Sequence, residues 1–286
     1  MSSIITNNSA MVALQTLKSI NGDLSKTQDM ISTGKDIAKA KDNSAIWAIS
    51  KVMESDVAGF KAISDSLSVG EATVAVASAG AEQIVQVLEE MKSLAVAGTS
   101  ETADYAKIEA DLQQKEDQIV AIIAASQFNG VNLLATDVDG AGGTQLSVLS
   151  SLDRAGPNDI ANGNPPTVTT IDVAGADFEA DLDVAGRTGI TTQATAETAL
   201  DEIEGFLQIA ISGAAELGAS AKRITDQNEF VSKLTDAIKS GVGALVDADM
   251  EEASARLQAL QVQQQLATQS LSIANQAPQS ILSLFR

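Results

Sequence analysis

The chain has 286 residues, 38 of them acidic and 18 basic, for a net charge of −20, and it contains no histidine and no cysteine. That composition excludes histidine-dependent triads, thiol nucleophiles, disulfides and thiolate or imidazole metal sites, and it disfavours binding to nucleic acid or to an anionic membrane. Aromatic residues make up only 3% while alanine, serine, glutamine and leucine abound, which suits helices packed through small side chains.

Residues 1–17 carry no charged side chain. Stepping by four and three through Ala10, Leu14, Leu17, Asn21, Leu24, Gln28 and Ile31 predicts a helix with one mostly apolar seam. Ser32-Thr33-Gly34 reads as its stop, with the glycine available for a left-handed C-cap. Residues 35–43 hold five charges and read as a linker, and Asp42 or Asn43 is placed to cap the second helix.

That second helix has the strongest period in the sequence. Alternate steps of three and four from Ile46 to Ala95 meet fifteen positions, thirteen of them apolar, among them Ile49, Met53, Phe60, Ile63, Leu67, Ile84, Leu88 and Met91. Asp56 and Gly70 are the exceptions. At about 1.5 Å per residue this is a helix of roughly 75 Å, longer than a globular domain needs, so a coiled bundle is expected. Gly98-Thr99-Ser100 ends it.

A third helix is expected over 102–126, with Ile108, Leu112, Ile119 and Ile122 on one face. Phe128-Asn129-Gly130 is a turn signal. From 131 to 192 the helical period is lost, and apolar alternation at 145–149 and 167–173 predicts a few short strands. Helix resumes near Ala194 and runs through Leu207, Leu217, Ile224 and Val231 towards Gly241-Val242-Gly243. The last helix begins near Asp247 or Asp249. Its seam passes through Ala253, Leu257, Leu260, Gln264, Ala267, Leu271, Ala274, Pro278, Ile281 and Phe285, and residues 257–285 hold no charge at all.

A solvated helix face in so acidic a chain would show Glu and Lys, and a membrane span would not tolerate this many glutamines. The last helix is therefore expected to be buried on several sides by protein. The plan is mirror-like, and the two halves must pair to bury their seams. The expected fold is mainly α: a long antiparallel coiled-coil rod of paired N- and C-terminal halves with a small β-rich central region.

Nothing in the sequence reads as an active site. Asp137-Val138-Asp139-Gly140 resembles the start of a calcium loop but lacks the closing glutamate, so an acidic turn is the better reading. Asp247, Asp249, Glu251 and Glu252 sit where carboxylates meet a helix dipole, and capping accounts for them. Trp47 and Tyr105 read as partly buried bundle residues. No cofactor, metal or catalytic residue is expected. No charged-then-apolar leader opens the chain, so a route out of the cell would be one that cleaves no such signal.

Both ends resemble bacterial flagellin. On the N-terminal side the resemblance rests on Asn7, Ala10, Ala13 and Leu17, on Ser32-Thr33-Gly34-Lys35, on Ala40-Lys41-Asp42-Asn43, on Ala48-Ile49-Ser50 and on Phe128-Asn129-Gly130-Val131. On the C-terminal side it rests on Leu217-Gly218-Ala219, on Arg223-Ile224, on 246–250 and on the ending 274–284. The wording of 41–47 is most similar to the alphaproteobacterial branch.

The resemblance implies a subunit that polymerises into a helical swimming filament. It implies an inner layer from 1–34 and 250–286, a helical rod layer from 35–130 and 194–249, and a small outer region from 131–193. Inner packing would use Ala10, Leu14, Leu17, Leu24, Leu257, Leu260, Leu271, Ala274, Ile281 and Phe285. The partners implied are other copies of the chain, a filament cap, hook-junction proteins, an export chaperone and the flagellar type III apparatus, with an extracellular location. A hook–filament junction protein and a soluble coiled-coil adaptor or chaperone are the alternatives.

Overall fold

A computed structural model of the protein describes residues 7–152 and 168–284, with side chains described for 7–151 and 168–276. Among the described residues six α-helices and a two-stranded sheet make up the fold, and 75% of those residues are helical. In order they are α1 (Asn8–Thr33), α2 (Ser44–Gly98), α3 (Tyr105–Ala125), β1 (Gln145–Leu152), β2 (Val168–Ala174), α4 (Phe178–Asp181), α5 (Gln193–Val246) and α6 (Met250–Leu284). The chain forms two compact units, one of residues 1–57 with 236–286 and one of residues 58–235. These boundaries fall inside α2 and α5, whereas the layers expected from the sequence break near Gly34 and Asp249.

In the first unit α1 and α6 run antiparallel. The Nδ2 of Asn7 donates to the Ala274 carbonyl at 2.8 Å, and the Nε2 of Gln264 donates to Asn21 Oδ1 at 2.7 Å. Asn7 also caps α1 by accepting from the Ala10 N–H, and Gly34 closes the helix at φ +69°, donating its N–H to the Met30 carbonyl. The linker is stitched to the end of α5, since Asp36 N–H donates to the Val246 carbonyl at 2.8 Å and Ala248 N–H to the Gly34 carbonyl at 3.0 Å. Of the two candidate caps, Asn43 takes the role for α2, accepting from Ile46 N–H at 3.2 Å.

One expectation is corrected here. Gly241 and Gly243 do not end α5, which runs on to Val246. An internal glycine costs only about 1 kcal/mol relative to alanine. The unbroken backbone ladder and the burial of Val246 outweigh that cost, and the helix stops where the N–H groups of Asp36 and Ile37 take up the Val246 carbonyl. Asp249 then caps α6, accepting from the N–H groups of Glu251 and Glu252.

In the second unit, α2 and α5 are tied antiparallel by Ser64–Asn228, by Thr225 donating to Glu71 and by the Lys92–Glu204 ion pair. Ile63, Leu67, Val74, Ala77, Ala81, Ile84, Leu88, Met91 and Ala95 turn one face of α2 into the core. Leu112, Ile119 and Ile123 of α3 join it. The Phe128–Val131 turn is a tight reversal with paired N–H···O bonds and φ of +52° at Asn129 and +84° at Gly130, a combination that asparagine followed by glycine supports.

β1 and β2 pair antiparallel, with an irregularity between Leu149 and Ser151. Two strands alone are marginal in water. They are held because Val148, Ile171 and Val173 face the core and because Gln227 of α5 donates to the Ser150 carbonyl at 2.9 Å. Gly70, a break in the α2 period, is where Val148 seats: a Cβ there would lie 2.6 Å from Val148 Cγ2. Gly213 of α5 does the same for the fully buried Phe178, whose Cε1 would lie 2.5 Å from an added Cβ.

Candidate assembly surface

The α1–α6 pair covers only one stripe of each helix. On α6 the shielded positions are Ala253, Leu257, Leu260, Gln264, Ala267, Leu271 and Ala274, the stepping of the expected seam. Ala253 and Leu260 are buried and the others half-buried. Ile281 and Phe285 lie outside the described side chains.

On α1 the register differs from the expected one. Ala10, Leu17, Leu24 and Ile31 are half-buried as expected, but the positions between them are Ala13, Ile20 and the buried Thr27 rather than Leu14, Asn21 and Gln28. Both readings share every seventh residue, and the apolar Ile20 with the small Ala13 packs closer than the alternatives. Leu14 is left 58% exposed.

That exposure is not isolated. Met11 and Val12 on α1, and Val262, Leu266 and Ile273 on α6, are all more than half exposed. At 100° per residue, Val262, Leu266 and Ile273 fall within about 40° of one another and about 120–160° from Leu260. So α6 carries two apolar stripes on opposite faces, one against α1 and one open. The surface around the open stripe is glutamine, serine, threonine and asparagine, with no charge after Arg256 among the described residues. Covering these six side chains would contribute on the order of 5–10 kcal/mol, about what association of two free proteins costs. A single contact of this kind breaks even; an array in which each copy touches several others does not.

Along α2, Ile63, Leu67, Ile84, Leu88 and Met91 are buried, Phe60 packs half-buried on the core, Met53 is half-buried and Ile49 is 50% exposed. Trp47 is half-buried, and the Tyr105 hydroxyl donates to the Ser100 carbonyl.

Among the described residues no group of acidic side chains is arranged to hold a metal ion, and no helix is long and apolar enough to cross a membrane. Asp137 and Asp139 serve their own loop. Asp139 accepts from the N–H groups of Ala141 and Gly143, and these bonds, that from Gly143 foremost, hold its carboxyl below the ordinary value. Asp137 accepts from Gly142 N–H.

One cluster escaped the sequence reading. Arg187 is buried, with its guanidinium forked onto both oxygens of Glu109 and its Nε on Glu116. Glu109 also accepts from Ile190 N–H at 2.8 Å, and Glu202 of α5 accepts from Thr188 N–H and Oγ1. The segment 187–190 is thereby clamped to α3 and α5. Burial pushes Glu109 up, but the Arg187 and Ile190 bonds outweigh it and hold its carboxyl below the ordinary value; for Glu116 burial prevails over Arg187 and the carboxyl is raised. The seven-residue spacing of Glu109 and Glu116 was visible in the sequence, but nothing there paired it with Arg187.

Residues 4–138 match the family profile for the bacterial flagellin N-terminal helical region, and residues 200–285 that for the bacterial flagellin C-terminal helical region. Flagellin FljM of Caulobacter vibrioides is 40% identical over 291 residues, covering 100% of this chain and 99% of that protein. A flagellin of Brucella melitensis is 40% identical over 293 residues, covering 100% of both. The fold is also similar to the solved structure described as a flagellar hook-associated protein from Vibrio parahaemolyticus, with TM-score 0.53, 13% identity and coverage of 72% of this chain and 100% of that one. With both terminal regions matched and relatives aligned over their whole length, the chain belongs to the bacterial flagellin family: it is a structural subunit of the flagellar filament and not an enzyme.

Proposed function

We propose that the α1–α6 pair is the surface through which copies of this chain polymerise. In this reading residues 1–34 and 250–286 form the inner layer of the filament, 35–130 and 194–249 the helical layer around it, and 131–193 its outer elaboration. Ala10, Leu17, Leu24, Leu257, Leu260, Leu271 and Ala274 hold the two helices of one subunit together. Leu14, with Met11, Val12, Val262, Leu266 and Ile273, packs against neighbouring subunits.

The observation that carries the reading is the second apolar stripe of α6, open in the single chain and free of the charges that would oppose burial. The subunit acts outside the cell and reaches its place through the flagellar type III apparatus with an export chaperone. There it meets hook-junction proteins at the filament base and a cap at the tip.

Deleting Leu271–Arg286 tests the reading. The truncated protein is expected to stay soluble and helical and to form no filaments with added seeds; fibres from it would count against an inner layer built from α6.

A further inference from the structure

The chain has no cysteine and six methionines, so methionine sulfur is what dilute peroxide oxidises first. Among the described methionines Met91 is buried, Met30 and Met53 are half-buried, and only Met11 and Met250 are exposed, at 61% and 44%. The two stand in different surroundings. Met250 opens α6 between Asp249 and Glu251, where charge and water are already present. Met11 lies in the charge-free stretch 1–17, and Asn8 and Gln15, its neighbours one turn away on the same face, are uncharged. At 100° per residue it points about 150° from the mean direction of the α1 stripe that α6 shields, so α6 does not cover it.

Resting on the polymerisation reading above, we propose that Met11 is a modification site for peroxide, and that its oxidation keeps a free subunit out of the filament. A lone pair of Met11 Sδ attacks a peroxide oxygen. The S–O bond forms as the O–O bond breaks, and the departing hydroxide takes the proton of the transferred oxygen and leaves as water. The sulfur is oxidised by two electrons to the sulfoxide and the peroxide is reduced. A flexible apolar side chain thereby becomes a polar one with an acceptor oxygen. On the free subunit water satisfies that oxygen; between copies, beside Val12 and Leu14, it must give the water up. A subunit already in place is protected by the neighbour that covers Met11, so the site distinguishes unassembled copies from assembled ones.

The test treats full-length protein with hydrogen peroxide until about half of Met11 is oxidised. Seeds then convert part of it to filaments, and sedimentation separates these from the soluble fraction. Peptide mass spectrometry reads each methionine, with fragmentation resolving Met11 from Met1. Met11 sulfoxide is expected to be about tenfold or more scarcer in the filaments than in the soluble fraction, with Met250 sulfoxide spread evenly. In filaments grown first and treated afterwards, Met11 is expected to oxidise about tenfold or more slowly than in the free subunit. Met11→Leu, which leaves no sulfur there, is expected to assemble to the same extent with and without peroxide treatment. Met11 sulfoxide equally abundant in both fractions overturns the proposal and leaves polymerisation standing. Equal exclusion of Met250 sulfoxide, or equal oxidation of Met11 in filament and free subunit, overturns it as well. Absence of filaments from untreated protein removes the polymerisation reading itself.

Discussion

Gly70 of α2 and Val148 of β1 stand so close that a Cβ on the glycine would lie 2.6 Å from Val148 Cγ2 and 2.8 Å from Cγ1. Neither methyl has an easy escape, because Val148 is buried in the core. Gly70→Ala is expected to destabilise unit 58–235 by about 1–3 kcal/mol despite alanine's better helix propensity. Adding Val148→Ala to it should cost less than the two single changes summed, since each change makes room for the other. Additive losses in chemical denaturation would show that the two side chains do not meet.

The clamp on Arg187 predicts a pH dependence whose sign differs between its two carboxylates. Glu109, lowered in the folded state, contributes stability that is present above the unfolded value of about 4.5 and is lost as pH falls through its folded value. Glu116, raised, imposes a penalty at neutral pH that is relieved as pH falls through its folded value towards about 4.5. Glu109→Gln should therefore cost about 1.5–3 kcal/mol at pH 7 and progressively less below pH 4, whereas Glu116→Gln should cost little at pH 7. Thermal unfolding against pH checks both. Equal losses for the two variants at pH 7 would contradict the asymmetry.

Leu266 and Leu260 point about 120° apart around α6, the first 58% exposed and the second 7%. Leu266→Asp should leave the helical circular dichroism of the monomer unchanged yet raise the critical concentration for polymerisation by about a hundredfold or more, because a carboxylate would be buried between copies. Leu260→Asp should instead melt the α1–α6 pair within the monomer. Normal polymerisation of the Leu266 variant would mean that its face is not an interface.

Much of this fold was legible because helical period and turn chemistry act locally. The seam from Ile63 to Ala95, the cap at Gly34, the Asn129-Gly130 turn and the strands near 145–149 and 167–173 all arise from such rules. What was not legible depends on contacts distant in sequence. The α1 seam has two registers that share Ala10, Leu17 and Leu24, and only the partner helix selects Ala13 and Ile20 over Leu14 and Asn21. Gly241 and Gly243 carry the composition of a stop, yet Val246 is held by the linker 35–37 and the helix continues. The Arg187 clamp joins residues more than seventy positions apart. The two-sided apolar character of α6 was legible as an absence of charge, but which side faces α1 was not.

A cryo-electron microscopy reconstruction of filaments grown from the full-length protein tests the central claim most directly. The account predicts that Val262, Leu266 and Ile273 of each subunit are covered by α1 or α6 of neighbouring copies, with α1 and α6 innermost. Filaments in which that stripe faces solvent, or in which α1 and α6 lie at the outside, would contradict it.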